Sequence, residues 1–558
     1  MKNSSQQYGP GSITPEPDRL TTTEGLCVAS AVASNAIVSS PSHWSANAVK
    51  RIPLIHRNLV ANVIGRVWSA ISVYIFVPIY INTLGMEAYG LVGFYSTLLG
   101  ALAFADMGFT ATLNRELARI SARRDSTSEM RDLLRTYESI YLCMSSVLAF
   151  AIWVLAPAIA QKWLHSKGLP AHEVAAAIRL MGVAVAFQFF SGLYIGGLMG
   201  LQRQVEANVL QISWGVLRGA GAVLVLWLWS PTILVFAAWQ LISNGVYCLF
   251  AHFSLWRALS FSGVQCRVRF RWLALRNTWR YAATMSTLAV VSTLLTQTDK
   301  LAVSRMLSLE ILGYYSLATA LAAVPSTLAA PIALAVFPCF TVLVERRDHA
   351  SMRRLYHRTC KLVTVAALPA GLTIALFADN LLQAWTGSAV TARQAGLVAS
   401  LLLAGQVLQV MCVVPYYVTL ANNCVGLSLR LGIASVVFIT PLLICLILKY
   451  GVVGAGISWL VMNTCTVPFY IYMFHRRFFP GELQSWVLRD VLPPLLAALP
   501  IVLLARLFLP VPSSRLLTLG VIGAVWCASA VAAACVMPEV RVEVVKSANR
   551  VLRVSHGA

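Results

Sequence analysis

"TLLTQTDKLAVSRMLSLEILG", residues 293–313, begins as an apolar helix, turns polar at Gln297, Asp299 and Lys300, and closes on a short turn that the chain has used before. On helical spacing, Ser292, Thr296 and Asp299 share one face, while Thr293, Gln297 and Lys300 form the stripe beside it and lead to an expected Asp299–Lys300 ion pair. The end of the stretch, "MLSLEILG" at 306–313, aligns with "TLGMEAYG" at 83–90 under a shift of 223 residues. Leu84 falls on Leu307, Glu87 on Glu310 and Gly90 on Gly313. A helix with one polar face and a turn that occurs twice constrain how the rest of the chain is arranged.

That rest belongs in a membrane. The 558 residues are 58% hydrophobic and only 11% charged, with mean hydropathy +0.72, beyond what a soluble domain carries. Apolar runs of about 20 residues, enough to cross ~30 Å of hydrocarbon as a helix, recur about fourteen times. Their cores are 58–81, 89–108, 136–160, 176–199, 209–229, 232–256, 281–299, 314–338, 359–382, 394–420, 429–449, 451–474, 491–510 and 516–537. The alternating strands of about ten residues that a membrane β-barrel needs are not seen. Six spans separate the two copies of the turn, so both enter the membrane in the same direction. The expected fold is all-α and integral to the membrane, with two parallel six-helix lobes and two C-terminal helices. The boundaries follow: an N-terminal tail at 1–57 that reads as disordered, a first lobe at 58–256, a basic connector at 257–280, a second lobe at 281–474, the last two helices within 475–537 and a tail at 538–558.

Net charge +22 would suggest nucleic acid in a soluble chain. Here about three quarters of the 43 Lys and Arg fall in alternate loops, which places both termini and the basic stretch "RVRFRWLALRNTWR" in the cytoplasm and leaves no nucleic-acid role. Twelve cysteines show no CxxC pairing, and His165 with His172 is the only loose histidine pair, so neither metal nor cofactor is expected. No Walker loop, HExxH or serine elbow is found, and every outer loop is short, against the enzymatic alternative of a membrane glycosyltransferase or polymerase.

Buried charge is then the functional signal, since an ionised side chain at mid-span costs about 2.5–3.5 kcal/mol on insertion scales. Arg66 and Arg218 lie deep in the first and fifth spans, and the first lobe has no carboxylate at their depth. Two unneutralised guanidinium groups suit an anionic ligand, phosphate above all; the plainer reading is that each ties helices together through carbonyls. Arg506 lies in the thirteenth span, which reads as a peripheral helix. Gln297 and Lys300 could meet a polar head group and Asp299 a coupling cation; the plainer reading is that Asp299 and Lys300 lie near the outer interface and mark the helix end. Gln406, Gln409 and Tyr416, beside the helix break at Pro415, could meet sugar rings.

Taken together, "NTLGMEAYGLVGFYSTLLGALAFADMGFTATLNRELAR" (82–119), "GLQRQVEAN" (200–208) and "LLTQTDKLAVSRMLSLEILGYYSLATAL" (294–321) resemble the polysaccharide transporters, the O-antigen flippases called Wzx. The resemblance runs over about 54–480. It implies a MATE-like fold of the multidrug/oligosaccharidyl-lipid/polysaccharide superfamily, alternating access, and an oligosaccharide on undecaprenyl pyrophosphate as substrate in the bacterial inner membrane. It also implies membrane lipids, a polysaccharide polymerase and a chain-length regulator as partners. A lipid II flippase and a multidrug exporter are the alternatives within the same superfamily.

Overall fold

The computed structural model describes residues 71–541 together with Gly65 and Trp68, except 122, 124–126, 260–271, 423, 425, 511 and 513; the side chains of 103, 272–285, 288 and 427 are also outside the description. The tails expected at 1–57 and 538–558 fall almost wholly outside these residues, as does Arg66; of the connector expected at 257–280, residues 257–259 end one helix and 272–280 begin the next, and the rest lies outside. In chain order the long helices are α1 (Ile71–Leu84), α2 (Met86–Asp106), α3 (Thr127–Trp163), α4 (Ala171–Gly200), α5 (Gln204–Leu228), α6 (Ile233–Leu259), α7 (Trp272–Met306), α8 (Leu309–Glu345), α9 (His349–Leu376), α10 (Ala389–Ala421), α11 (Gly426–Tyr450), α12 (Val452–Phe478), α13 (Leu483–Phe508) and α14 (Arg515–Cys535). Among the described residues twelve helices are long and apolar enough to cross a membrane; α1, seen only in part, and α7, with its polar face, complete the series.

Helices α3, α4, α5 and α6 pack into one lobe, α7 to α12 into the other, and α13 with α14 lie against α9. Between lipid-facing helices the hydrophobic effect gives no net pull, so close approach through small residues holds them. The lobes meet where α2 crosses α8, and the contact is reciprocal. A Cβ on Gly90 would lie 1.9 Å from the Leu309 carbonyl oxygen, and one on Gly313 would lie 2.6 Å from that of Met86. Each glycine would also put its Cβ 3.3 Å from the other's backbone nitrogen. Met86 and Leu309, like Gly90 and Gly313, are partners under the 223-residue shift, so the repeated turn forms a two-fold contact with itself.

Breaks in the long helices have local causes. After α2 the chain enters left-handed backbone at Met107 (φ 46°) and Gly108 (φ 70°) before the amphipathic helix Phe109–Ser121. Asp106 closes that corner: it accepts from the Thr110 hydroxyl at 2.5 Å and from the Tyr141 hydroxyl. The Asp106-x-Gly108 element is therefore a turn that redirects the chain. Helix α8 breaks at Ala323 ahead of Pro325, and α10 breaks at Met411–Cys412 ahead of Pro415, since proline cannot supply the missing N–H.

Candidate functional site

Helix α7 runs unbroken through Gln297, Asp299 and Lys300 to Met306, so these residues do not mark a helix end. The expected ion pair is not made. Asp299 turns into its own lobe, where its Oδ2 accepts from the Tyr315 hydroxyl of α8 at 2.5 Å. Lys300 turns the other way, its Nζ 3.4 Å from the Thr296 carbonyl and 3.5 Å from Gln297 Oε1. Gln297 lies against α2 of the opposite lobe: a Cβ on Gly100 would fall 2.2 Å from its Nε2. One polar helix thus serves two surroundings, and the residue next in sequence to Asp299 is not its partner.

Asp299 lines a small cavity between α7, α11 and α12 together with Thr298, Ser435, Thr440 and Ser458. The space in it open to the centre of a water-sized sphere is ≈ 20 Å³, room for about one water or one bare cation. Asp299 Oδ1 and Ser458 Oγ are buried and have no hydrogen-bond partner. A single carboxylate among hydroxyls is an all-oxygen set, the chemistry of hard cations or of a proton. Among the described residues no group of His, Cys, Asp and Glu is assembled for a transition metal.

In the other lobe the Arg218 guanidinium lies over the Trp214 ring, 5.0 Å from its centroid, and makes no hydrogen bond or ion pair with any described residue. It is half-buried, and its charge reaches the phenols of Tyr80 and Tyr95. Tyr80 donates to the Gly219 carbonyl at 3.1 Å, and Asn244 Nδ2 lies 3.4 Å from the Tyr95 hydroxyl. Gln240 Oε1 and Asn244 Oδ1 are buried without a donor. These two amides escaped the sequence reading, although their spacing of four residues on an apolar helix was the signal available for them.

The remaining candidates stand apart from these two places. Gln406 donates from Nε2 to Ser326 Oγ and so joins the breaks of α8 and α10. Gln409 is half-buried, and Tyr416 packs edge-on to Tyr417 at 5.7 Å, which in turn lies 5.6 Å from Phe337. Arg506, on α13, donates to Asn380 at 2.6 Å and Asp379 at 3.0 Å and tethers its helix to the second lobe.

At the end of the molecule where α2 and α8 begin, the loop after α3 crosses between lobes. The Leu309 amide donates to the His165 carbonyl at 3.0 Å, and Trp163 Nε1 donates to Ser304 Oγ at 3.0 Å. Glu87 braces the loop by accepting from the backbone amides of Lys167 (2.5 Å) and Gly168 (2.9 Å).

Comparison with known proteins places this architecture. A family described as polysaccharide biosynthesis protein matches residues 55–344. A protein of Shigella flexneri assigned as an O-antigen transporter is 23% identical over 342 residues, 61% of this chain and 79% of that protein. The fold is shared with an inward-facing multidrug resistance MATE transporter of the MOP superfamily (TM-score 0.64, 15% identity, 74% of this chain and 95% of that one). It is shared equally with the lipid II flippase MurJ in an inward closed conformation (TM-score 0.65, 12% identity, 84% of this chain and 97% of that one). With the family matched over more than half its length, this multi-pass membrane chain belongs to the polysaccharide biosynthesis protein family and shares the fold of those solved transporters.

Proposed function

We propose that the chain is a flippase that carries an undecaprenyl-pyrophosphate-linked oligosaccharide repeat unit across the bacterial inner membrane, for O-antigen, capsule or exopolysaccharide assembly. The observation that carries this reading is Arg218. A half-buried guanidinium with no acceptor among the described residues, on a mid-span helix, is held ready for an anion, and a pyrophosphate accepts its planar fork of donors. Arg66 adds a second cation to the same lobe. Gln297, facing α2 across the lobes, and Lys300 beside it meet the head group or first sugars, while Gln406, Gln409 and Tyr416 meet the glycan.

Alternating access uses the two ends of the lobe interface unequally. The contacts of the Gly90–Gly313 crossing and the 163–168 loop close one end in this conformation, and their loss opens it. Asp299, in its cation-sized cavity, couples that motion to an ion. Both termini lie in the cytoplasm, the lobes span 58–256 and 281–474, and a polymerase and chain-length regulator take up the product.

Deletion of the gene tests the reading. The expected outcome is lipid-linked repeat stranded on the cytoplasmic leaflet with surface glycan lost. A mutant that fails to make the lipid-linked repeat at all, with its synthesis genes intact, replaces transport by a biosynthetic role.

A further inference from the structure

Each lobe reaches into the other with an indole. Trp163, the last residue of α3, donates to Ser304 of α7. In the second lobe a short helix, Ala378–Thr386, follows α9, and from it Trp385 Nε1 donates to the Tyr74 carbonyl of α1 at 2.7 Å. Under the 223-residue shift Trp163 falls on Thr386, the last residue of that short helix, so the two tryptophans leave equivalent places in the two lobes. Helix α1 belongs with the first lobe, because Tyr80 ties it to the Gly219 carbonyl of α5. Both bonds therefore run between lobes, in opposite directions.

Tyr74 is held from the second lobe at three points. Its carbonyl accepts from Trp385, its ring lies 5.7 Å from the Trp385 ring between centroids, and its hydroxyl donates to the Ala320 carbonyl of α8 at 3.0 Å. The carbonyl is free for this because Pro78, four residues on, has no N–H to return to it. Inside a membrane a carbonyl without a donor is costly. Here the donor that α1 lacks comes from the opposite lobe, so the local state of one helix depends on the lobes being together.

The two indole bonds also act at different depths. Ser304 corresponds to Ile81 under the shift, and Tyr74 lies seven residues before Ile81, about 10 Å further along α1. Trp163 is exposed at the rim, with the Arg305 guanidinium 5.9 Å from its ring centroid, whereas Trp385 and Tyr74 are half-buried.

We propose that the grip of the second lobe on Tyr74 is an inner latch and the Trp163–Ser304 bond an outer one, and that this end of the lobe interface opens only when both are released. The proposal rests on the alternating access put forward above and not on which substrate uses it. The glycine crossing sets how closely the lobes approach; the latches set how readily they part. Release runs from the rim inward. Once Trp163 leaves Ser304, water reaches the Tyr74 carbonyl and supplies the donor that Trp385 withdraws.

Double electron–electron resonance on the full-length chain in lipid nanodiscs tests this, without substrate. Spin labels are placed on His172→Cys and Val390→Cys, exposed positions at the starts of α4 and α10, in a chain whose own cysteines are replaced. With the latches intact one short distance dominates. Trp163→Phe, Trp385→Phe and Tyr74→Phe each keep the ring and lose one donor, and each is expected to raise the ratio of open to closed molecules about fivefold, the scale of one hydrogen bond net of its exchange with water. Ser304→Ala removes the outer bond from its other side and is expected to match Trp163→Phe. The triple Phe variant is expected to shift the ratio about a hundredfold. Melting temperature, measured beside each, reports folding. A triple variant that stays at the short distance overturns the proposal, as does a Trp385→Phe variant that loses melting temperature with no change in distance, which makes the bond structural only. Because no substrate is present, either failure leaves the flippase reading in place. Latch-dependent opening in a chain that moves no lipid-linked oligosaccharide keeps the latches and removes the flippase.

Discussion

Arg218 rests on Trp214 and makes no hydrogen bond to any described residue, while two buried amide oxygens on α6 have no donor among those residues. A guanidinium so placed contributes both charge and a rigid fork, and the two can be separated by substitution. Arg218→Lys retains the charge and is expected to lower glycan export about tenfold; Arg218→Gln loses both and is expected to lower it about a hundredfold, since each factor of ten is 1.4 kcal/mol, the scale of one charge-assisted hydrogen bond. Membrane abundance, measured beside export, stays near wild type in both. Full export by Arg218→Gln at normal abundance removes this residue from the substrate path. Arg506→Gln is the contrast: with its bonds to Asp379 and Asn380 gone, it lowers the melting temperature and leaves export per folded molecule unchanged.

At the scale of elements, the α2–α8 crossing is the contact most exposed to a single atom. A methyl on Gly90 would meet the Leu309 carbonyl at 1.9 Å, far inside contact distance, and backbone must move to admit it. Gly90→Ala is therefore expected to part the lobes at that end. With cysteines replacing His165 and Ser308, which form a bridge in this conformation, disulfide formation slows at least fivefold in the Gly90→Ala background. An unchanged cross-linking rate means that the crossing does not control the 163–168 loop. The hairpin of α13 and α14, packed on α9 away from this crossing, makes no contribution to that rate.

Across the whole molecule, the all-α membrane architecture and the order of its long helices were legible because lipid demands about 20 apolar residues per crossing and tolerates little else. The match of Gly90 to Gly313 was legible as a repeat, though not as a contact. Rotation of each helix was harder to read, since a residue facing lipid and one facing protein look alike when both are apolar. Asp299 was assigned to Lys300 for this reason, although the Tyr315 hydroxyl sixteen residues on is its partner. The bond from Arg506 to Asp379 was not legible, because nothing in the sequence says that α13 lies beside Asp379. Reporter fusions check the arrangement as a whole. Alkaline phosphatase joined within 257–280 is expected to be inactive, and joined after Lys167 to be active; activity at the first site inverts the sidedness of both lobes. The glycine crossing bears on the chain's history as well as its motion. A contact in which two equivalent segments meet each other's equivalent atoms is the geometry of a homodimer, in which any substitution strikes the interface twice. Once such halves are fused, each can change alone. One half could then keep Arg218 where the other has Pro441, and the other Asp299 where the first has Phe76, so that a symmetric pair of helical bundles came to carry its charge asymmetrically.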